Sequence, residues 1–396
     1  MKKYFKKKQI TQIIMLAALS LGATLAIAQT GPIKIGVVTP LSGTYTPIGE
    51  QVKMGLDLAA KEINAKGGIN GRKIDLIYED EEANPAVATQ KAEKLFQVEK
   101  VDFLTGTVNS GSTLAVGQVA ERNKKLIATT VSFADSITGD KCSPNVFRVN
   151  ARAGMQSAAL AAWVDKEIPK ANIFFIGPDY LMGRSTVSAF KKASTEKGAK
   201  DVGEVFAPLG NKDYSPYFGQ VRSAKPNVIY TSVAGNDTVR LFTQMDDYGI
   251  NKGVTIVGAS GTVTSQNLGA IGKSANGFVT GVGYSPKLDN PANKQFVADF
   301  QKAYSKLPDL YGADSYGLLY FYKAAVEKAK STDTDKVRAA MNDLSWQTPQ
   351  GIKKMRAGDH QAMQDMFAVR IENGEFNIVG MVAADQAIGP DVCDRF

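Results

Sequence analysis

Ser110, Gly111 and Ser112, within TGTVNSGSTLAVG at 105–117, set small hydrogen-bonding residues where an apolar run gives way to an amphipathic one. A strand-to-helix junction of this kind offers free backbone N–H groups and the positive end of a helix dipole, which together hold an anion. A carboxylate accepting two or three charge-assisted bonds there, each worth about 1.5–3 kcal/mol, gains much of the roughly 8 kcal/mol of a micromolar site. A serine at this point can also do no more than cap the helix. The loops after the other apolar runs have the same make-up. LSGTYTPIG, EDEEANP, TTVSFADS, GPDYLMGRS, SVAGNDT and GASGTVTS are rich in Gly, Ser, Thr, Asn and Asp, with Tyr45, Phe133 and Tyr180 among them. These are donors and aromatic walls for a small ligand.

Other chemistries lack their parts. His360 is the only histidine, in the polar stretch RAGDHQAMQ, and is expected at the surface. Without a second histidine there is no HExxH zinc site, and a histidine-based triad has no GxSxG elbow to serve. Neither GxxxxGK[ST] nor a GxGxxG after a strand occurs, so no nucleotide cofactor is expected, and no metal. The acidic run Glu79, Asp80, Glu81 and Glu82 leaves carboxylate chemistry as the one enzymatic route; a solvated loop after a strand is the simpler reading. The formal charge of +8 includes five lysines in the first eight residues, leaving about +3 for the remainder. That balance gives no footprint for nucleic acid, and pairs such as Lys124–Lys125, Lys191–Lys192 and Lys353–Lys354 read as solvated faces.

The elements that must position these loops alternate regularly. Residues 1–28 combine a lysine-rich start, an apolar stretch and AIA before Gln29, the pattern of a secretory signal cleaved near Ala28. The apolar stretch is short for a retained anchor, so no membrane insertion of the mature chain is expected. The two cysteines, Cys142 and Cys393, favour a disulfide in an exported chain, two free thiols being the alternative. It would close a loop of some 250 residues, worth roughly 5 kcal/mol in a chain-entropy model.

IKIGVVTP at 33–40 reads as a strand apolar on both faces, hence an inner strand of a parallel sheet. Residues 50–65 follow as a helix, and strands and helices keep alternating to about 150. The rhythm restarts at NIFFIGPD, with further strands at 201–210, 227–234 and 254–260. Helical segments at 291–307, 312–330 and 334–344 precede a hairpin turning at Asn373–Gly374. The fold class is therefore α/β, with two doubly wound lobes and crossovers near 150, 284 and 348 acting as a three-segment hinge. The expected division is 29–150 with 285–348 in the first lobe, and 151–284 with 349–396 in the second lobe and tail.

The long stretch IKIGVVTPLSGTYTPIGEQVKMGLDLAAKEINAKGGINGRKIDL, with CSPNVFR, GPDYLMGRS, DYSPYFGQVRSAKPNVIY and YSPKLDNPANKQFVADF, resembles the type I periplasmic solute-binding proteins of ABC importers, in their branched-chain amino acid branch. The resemblance spans essentially the whole mature chain. It implies a two-lobed protein that closes on a small ligand and presents it to an ABC permease in the inner membrane. GDKCSPNVFR with a cysteine near the C-terminus resembles a subgroup many of whose members bind aromatic carboxylates or related metabolites, which implies a Cys142–Cys393 bridge.

Carried over by position, the resemblance implies that Ser110, with Gly111, holds the ligand carboxylate. Further contacts fall at Val131, Ser132 and Phe133, at 179–182 including Asp179 and Tyr180, at 235–237 including Asp237, and at Ser260; Tyr45 joins them as an aromatic wall. Amino-acid binders of this kind place a Glu after the strand written here VTIVGAS, to pair with the ligand ammonium; this chain has Ala259, Ser260 and Gly261. A buried ammonium without a counter-charge is costly by several kcal/mol. The expected ligand is therefore an organic carboxylate, aromatic in type. The alternatives are a branched-chain amino acid, with Asp179 or Asp237 taking the ammonium, and a sensing module for a chemoreceptor or kinase. Asp237 also has the position of a helix N-cap. A monomer is expected, because closure needs lobes free to move.

Overall fold

A computed structural model describes residues 31–396, so the expected signal segment at 1–28 lies outside the described residues. Ile33–Thr39 (β1) is apolar on both faces because it is an inner strand. It pairs in parallel with Ile74–Asp80 (β2) on one side and Phe103–Gly106 (β3) on the other. Ile127–Thr129 (β4) and Val146–Arg148 (β5) extend the parallel run, giving the order β2-β1-β3-β4-β5.

The same order recurs in the second sheet. Asn172–Pro178 (β6), Lys200–Ala207 (β7), Val228–Thr231 (β8), Thr255–Gly258 (β9) and Val279–Val282 (β10) run β7-β6-β8-β9-β10, all parallel. An open α/β sheet binds at the carboxyl ends of its strands where the order reverses. The reversals here lie between β1 and β3 and between β6 and β8, so the loops carrying Tyr45, Ser110, Tyr180 and Asp237 are the ones the topology brings forward.

Two strands depart from the expected division. Ser345–Thr348 (β11), Gly351–Arg356 (β12) and Gln361–Met363 (β13) join the first sheet, with β13 parallel to β5. Residues 351–363 were expected with the second lobe. Only Met366–Glu372 (β14) and Glu375–Val382 (β15) belong to the second sheet, so the third crossover falls at 364–365 rather than near 348. The reason is side-chain pairing that the local pattern hides. Gln361 accepts from Arg148 Nε at 2.6 Å and donates to Asn150 O at 2.8 Å, fixing β13 beside β5. The β14–β15 hairpin turns at Asn373 and Gly374, both with positive φ, as a two-residue turn requires.

The β12–β13 region overturns two surface assignments. His360 is buried, its ring stacked 3.8 Å from that of Phe147 and tilted against that of Phe396 at 4.3 Å, and burial pushes its pKa down to about 4. Lys353 is buried as well, paired with Asp314 at 2.5 Å and donating to Val149 O at 2.9 Å, whereas its neighbour Lys354 stays exposed. The Cys142–Cys393 bridge is present and joins residues 251 apart. It returns the tail from the second sheet to the first. On the way Arg152 donates to Ile388 O and Arg356 to Gly389 O. Among the described residues no helix is long and apolar enough to cross a membrane.

Truncating one side of the buried Lys353–Asp314 pair leaves the other without compensation. Lys353→Met is expected to lower unfolding free energy by about 3–5 kcal/mol in urea titration, and the Lys353→Met/Asp314→Leu double variant to recover most of that loss.

Candidate functional site

The loop that opens the helix Ser110–Arg122 is held by three side chains. Asn109 is its N-cap, the side-chain oxygen accepting from Gly111 N at 2.8 Å, so neither serine is spent on capping. Glu81 reaches the same turn and accepts from Val108 N at 2.5 Å and from Asn109 N at 3.3 Å. It is fully buried, which corrects the solvated-loop reading of the acidic run. Within that run Glu79 pairs with Lys91 and Lys94, Asp80 accepts from Leu41 N and Glu82 N, and only Glu82 faces solvent. Burial pushes the Glu81 carboxyl up to about 7, against the pull of Ser112 and the two N–H donors. The Ser112 hydroxyl is near it, yet neither that hydroxyl nor Glu81 Oε2 closes a hydrogen bond.

Ser110 is buried, and its Oγ accepts from Ala134 N at 3.3 Å, which leaves its own proton to donate. Gly111 sits beside it in the first turn. Val131, Ser132 and Phe133 are buried in the loop after β4. Ser132 Oγ donates to Thr107 O at 2.8 Å and also meets Thr113 Oγ1, so this serine braces the loop. Phe133 stacks on Tyr311 with ring centroids 6.1 Å apart. The loop is clamped from below by Arg148, whose Nη1 donates to Ser132 O at 3.2 Å and Ala134 O at 2.7 Å.

The second sheet meets these residues directly. Tyr45 and Tyr180 share a hydrogen bond between hydroxyls at 2.7 Å, and Asn236 N donates to Thr44 O at 3.1 Å. Thr44 Oγ1 donates to Asp237 Oδ1 at 2.9 Å, and Asp135 N to Ser185 Oγ at 3.1 Å. An added Cβ at Gly261 would lie 2.0 Å from Tyr311 Oη, so only glycine allows the two sides to come this close. Burial pushes the hydroxyls of Tyr45, Tyr180 and Tyr311 up, keeping all three neutral.

The acids of the second side are already paired. Asp179 is exposed and bound to Arg184 at 2.7 Å, so it braces its loop instead of joining the cluster. Asp237 is buried in the first turn of the helix Asn236–Asp247, whose N-cap is Gly235 and not Asp237. Its Oδ1 is bound by Arg240 and Thr44, and its Oδ2 accepts from Gly210 N at 2.7 Å. Ser260 is buried, with its N–H on Gln156 Oε1 at 3.2 Å and its hydroxyl unpartnered. Sequence reasoning missed Thr44, Glu81, Asn109, Gln156 and Tyr311. Arg240, three residues after Asp237 on a helix, was a legible signal that the acid is neutralised.

A family model described as periplasmic binding protein matches residues 32–375. The chain belongs to that family. A Leu/Ile/Val-binding protein of Rhizobium johnstonii is 29% identical over 343 residues, covering 86% of this chain and 92% of its own. Among solved structures, an ABC-transporter solute-binding protein of R. palustris in complex with benzoate is 28% identical with a TM-score of 0.84, covering 92% of this chain and 100% of its own. A second from R. palustris, in complex with 4-hydroxybenzoate, is 26% identical with a TM-score of 0.83 over 91% and 98%. The two-sheet α/β architecture of this periplasmic binding protein is thus shared with these ABC-transporter solute-binding proteins.

Glu81 makes the site pH-dependent. Its folded value of about 7 lies above the ordinary 4.5, so the folded state holds a proton that the unfolded state has lost between these values. The contribution of Glu81 to stability therefore falls as pH rises from about 4.5 to 7. Glu81→Gln is expected to reduce that fall by on the order of 2–3 kcal/mol, read from urea unfolding at pH 5 and pH 8. An unchanged slope would take Glu81 out of the titration.

Proposed function

We propose that this protein captures a small organic carboxylate, aromatic in type, between its two lobes and delivers it to an ABC permease in the inner membrane. One observation carries the ligand class. Asp179 and Asp237, the acids that an ammonium would meet at the second lobe, are each paired with an arginine, and the residues after β9 are Ala259, Ser260 and Gly261. Glu81 and Asp309, the buried carboxyls with an unpartnered oxygen, are pushed up to about 7 by burial and so are poor fixed anions. Ser110 supplies a free hydroxyl proton at a helix start, and Tyr45, Phe133, Tyr180 and Tyr311 supply ring faces.

In this reading Ser110 and Gly111 meet the carboxylate, Ser132 and Val131 shape the loop, and Tyr45, Phe133 and Tyr180 flank the ring. Asp237 holds the closed form through Thr44, and Ser260 lines the floor. The mature chain starts after cleavage near Ala28, is periplasmic, and acts as a monomer whose closed form the permease reads.

A branched-chain amino acid is the second reading, favoured by the names of the curated relatives. Thermal shift on refolded, ligand-free protein separates the two, since a ligand of the native state raises Tm by mass action. Benzoate-type acids are expected to stabilise and leucine, isoleucine and valine not to; the reverse result would replace the carboxylate reading. Ser110→Ala is expected to weaken binding of the stabilising acid about tenfold or more by calorimetry. Unchanged affinity would remove Ser110 from the contacts.

A further inference from the structure

A cavity opens on the hinge side of the cleft, where both lobes and a crossover meet. Ser260 from the loop after β9, Thr280 from β10, Tyr284 from the second crossover and Asp309 from the start of the helix Leu310–Ala329 all line it, with Val282 and Phe376 among its apolar walls. None of the four polar residues is more than 5% exposed. Yet Ser260 Oγ, Thr280 Oγ1, Tyr284 Oη and Asp309 Oδ2 are all without a hydrogen-bond partner. Buried polar groups are normally satisfied, so four orphans lining one cavity point to a group that belongs there. The space suits about one small polar group, of roughly water or hydroxyl size.

The other Asp309 oxygen is already used. Oδ1 accepts from Tyr311 N at 2.9 Å and Gly312 N at 3.1 Å, capping the helix, so Oδ2 is the carboxyl oxygen left without a partner. Two of its lining residues, Ser260 and Asp309, are next in the chain to the aromatic part of the cleft. Ser260 precedes Gly261, which abuts both Tyr311 and Phe133, and Tyr311 follows Asp309 by two residues. One carboxyl and three hydroxyls suit a partner that both donates and accepts hydrogen bonds.

We propose that this cavity is a subsite for a hydroxyl or amino substituent carried on the ring of the ligand, which donates to Asp309 Oδ2 and accepts from the surrounding hydroxyls. The proposal rests on the aromatic-carboxylate reading above and adds the substituent that reading leaves open. Burial pushes Asp309 up to about 7, so its carboxyl can also donate when the partner accepts. Because the four groups come from both lobes and the hinge, a substituent bound there favours the closed form.

The test is calorimetry on refolded, ligand-free mature protein with benzoate, the 3- and 4-hydroxybenzoates, the 3- and 4-aminobenzoates and the matching methylbenzoates. At one ring position the hydroxyl or amino compound is expected to bind at least tenfold tighter than its methyl counterpart. Asp309→Asn keeps Oδ1 for the helix cap and replaces Oδ2, and Thr280→Val removes a hydroxyl without leaving a void. Each is expected to cut the preference at least fivefold while changing the affinity for benzoate less than twofold, and Thr280→Val carries the test if Asp309→Asn does not fold. Binding of benzoate with no preference over the methyl compounds, or a preference that survives both variants, overturns the subsite and leaves the carboxylate reading standing. Failure of every benzoate to bind while leucine binds overturns both.

Discussion

The Arg148 guanidinium, fully buried, is the constraint on which the rest of the first lobe depends. Among the described residues no carboxylate lies within ion-pair distance of it; Nε goes to Gln361, Nη1 to the carbonyls of Ser132 and Ala134, and Nη2 to Thr138. Burial pushes its pKa down to about 9, so the guanidinium is still charged at neutral pH. Burying a charge costs several kcal/mol unless its donors are satisfied, and here two of the satisfying oxygens are carbonyls of the cleft loop itself. The loop that carries Phe133 and receives Ser110 is therefore shaped by the need to solvate one cation from within. Through Gln361 the same cation fixes β13 beside β5, which in turn buries His360 and places the third crossover.

Closure rests on weaker contacts. Tyr45 with Tyr180, Thr44 with Asp237 and Asp135 with Ser185 are single hydrogen bonds between the two sides, each contributing about 0.5–1.5 kcal/mol net. A few such bonds set against the water they displace leave an equilibrium of a few kcal/mol. That is the range in which a ligand touching both sides can decide the population, by as much as its differential affinity for the closed form. The arginine pairs of Asp179 and Asp237 fit this arrangement, because they neutralise acids at the closing edge and spare a bound anion their repulsion.

The parallel cores were legible in the sequence because their signal is local. IKIGVVT is apolar on both faces and proves to be an inner strand, and Asn373–Gly374 between two alternating runs proves to be a hairpin turn. SWQTPQGIKKMRAGDHQAM resisted the same reading. Its strands alternate polar and apolar residues, and their burial depends on β5, some 200 positions earlier, and on Asp314. Lys353 and His360 look like surface residues in their own neighbourhoods and are buried by partners that local pattern cannot reveal. The cleft follows the same division. Loop composition named the strand-end loops that the topology brings forward, while Glu81, Asn109 and Tyr311 enter through contacts that bring together residues 27 positions or more apart, or through a cap one residue ahead of the expected serine.

The helix start at Ser110 is the place where these threads meet. Its nearest N–H donors are partly committed within the protein, Val108 and Asn109 to Glu81 and Gly111 to the Asn109 cap, so the turn is already organised before any ligand arrives. In the carboxylate reading the Ser110 proton and the unpartnered Ser112 hydroxyl are offered to the anion, with Gly111 beside them in the turn. An ionised Glu81 in the same turn would repel an incoming carboxylate. The burial that moves Glu81 to about 7 lets it hold its proton when a second negative charge approaches, and a bound anion would push that value higher still. In the carboxylate reading, preorganisation of the turn and tolerance of the ligand charge would thus come from one side chain, with burial tuning it between the two roles.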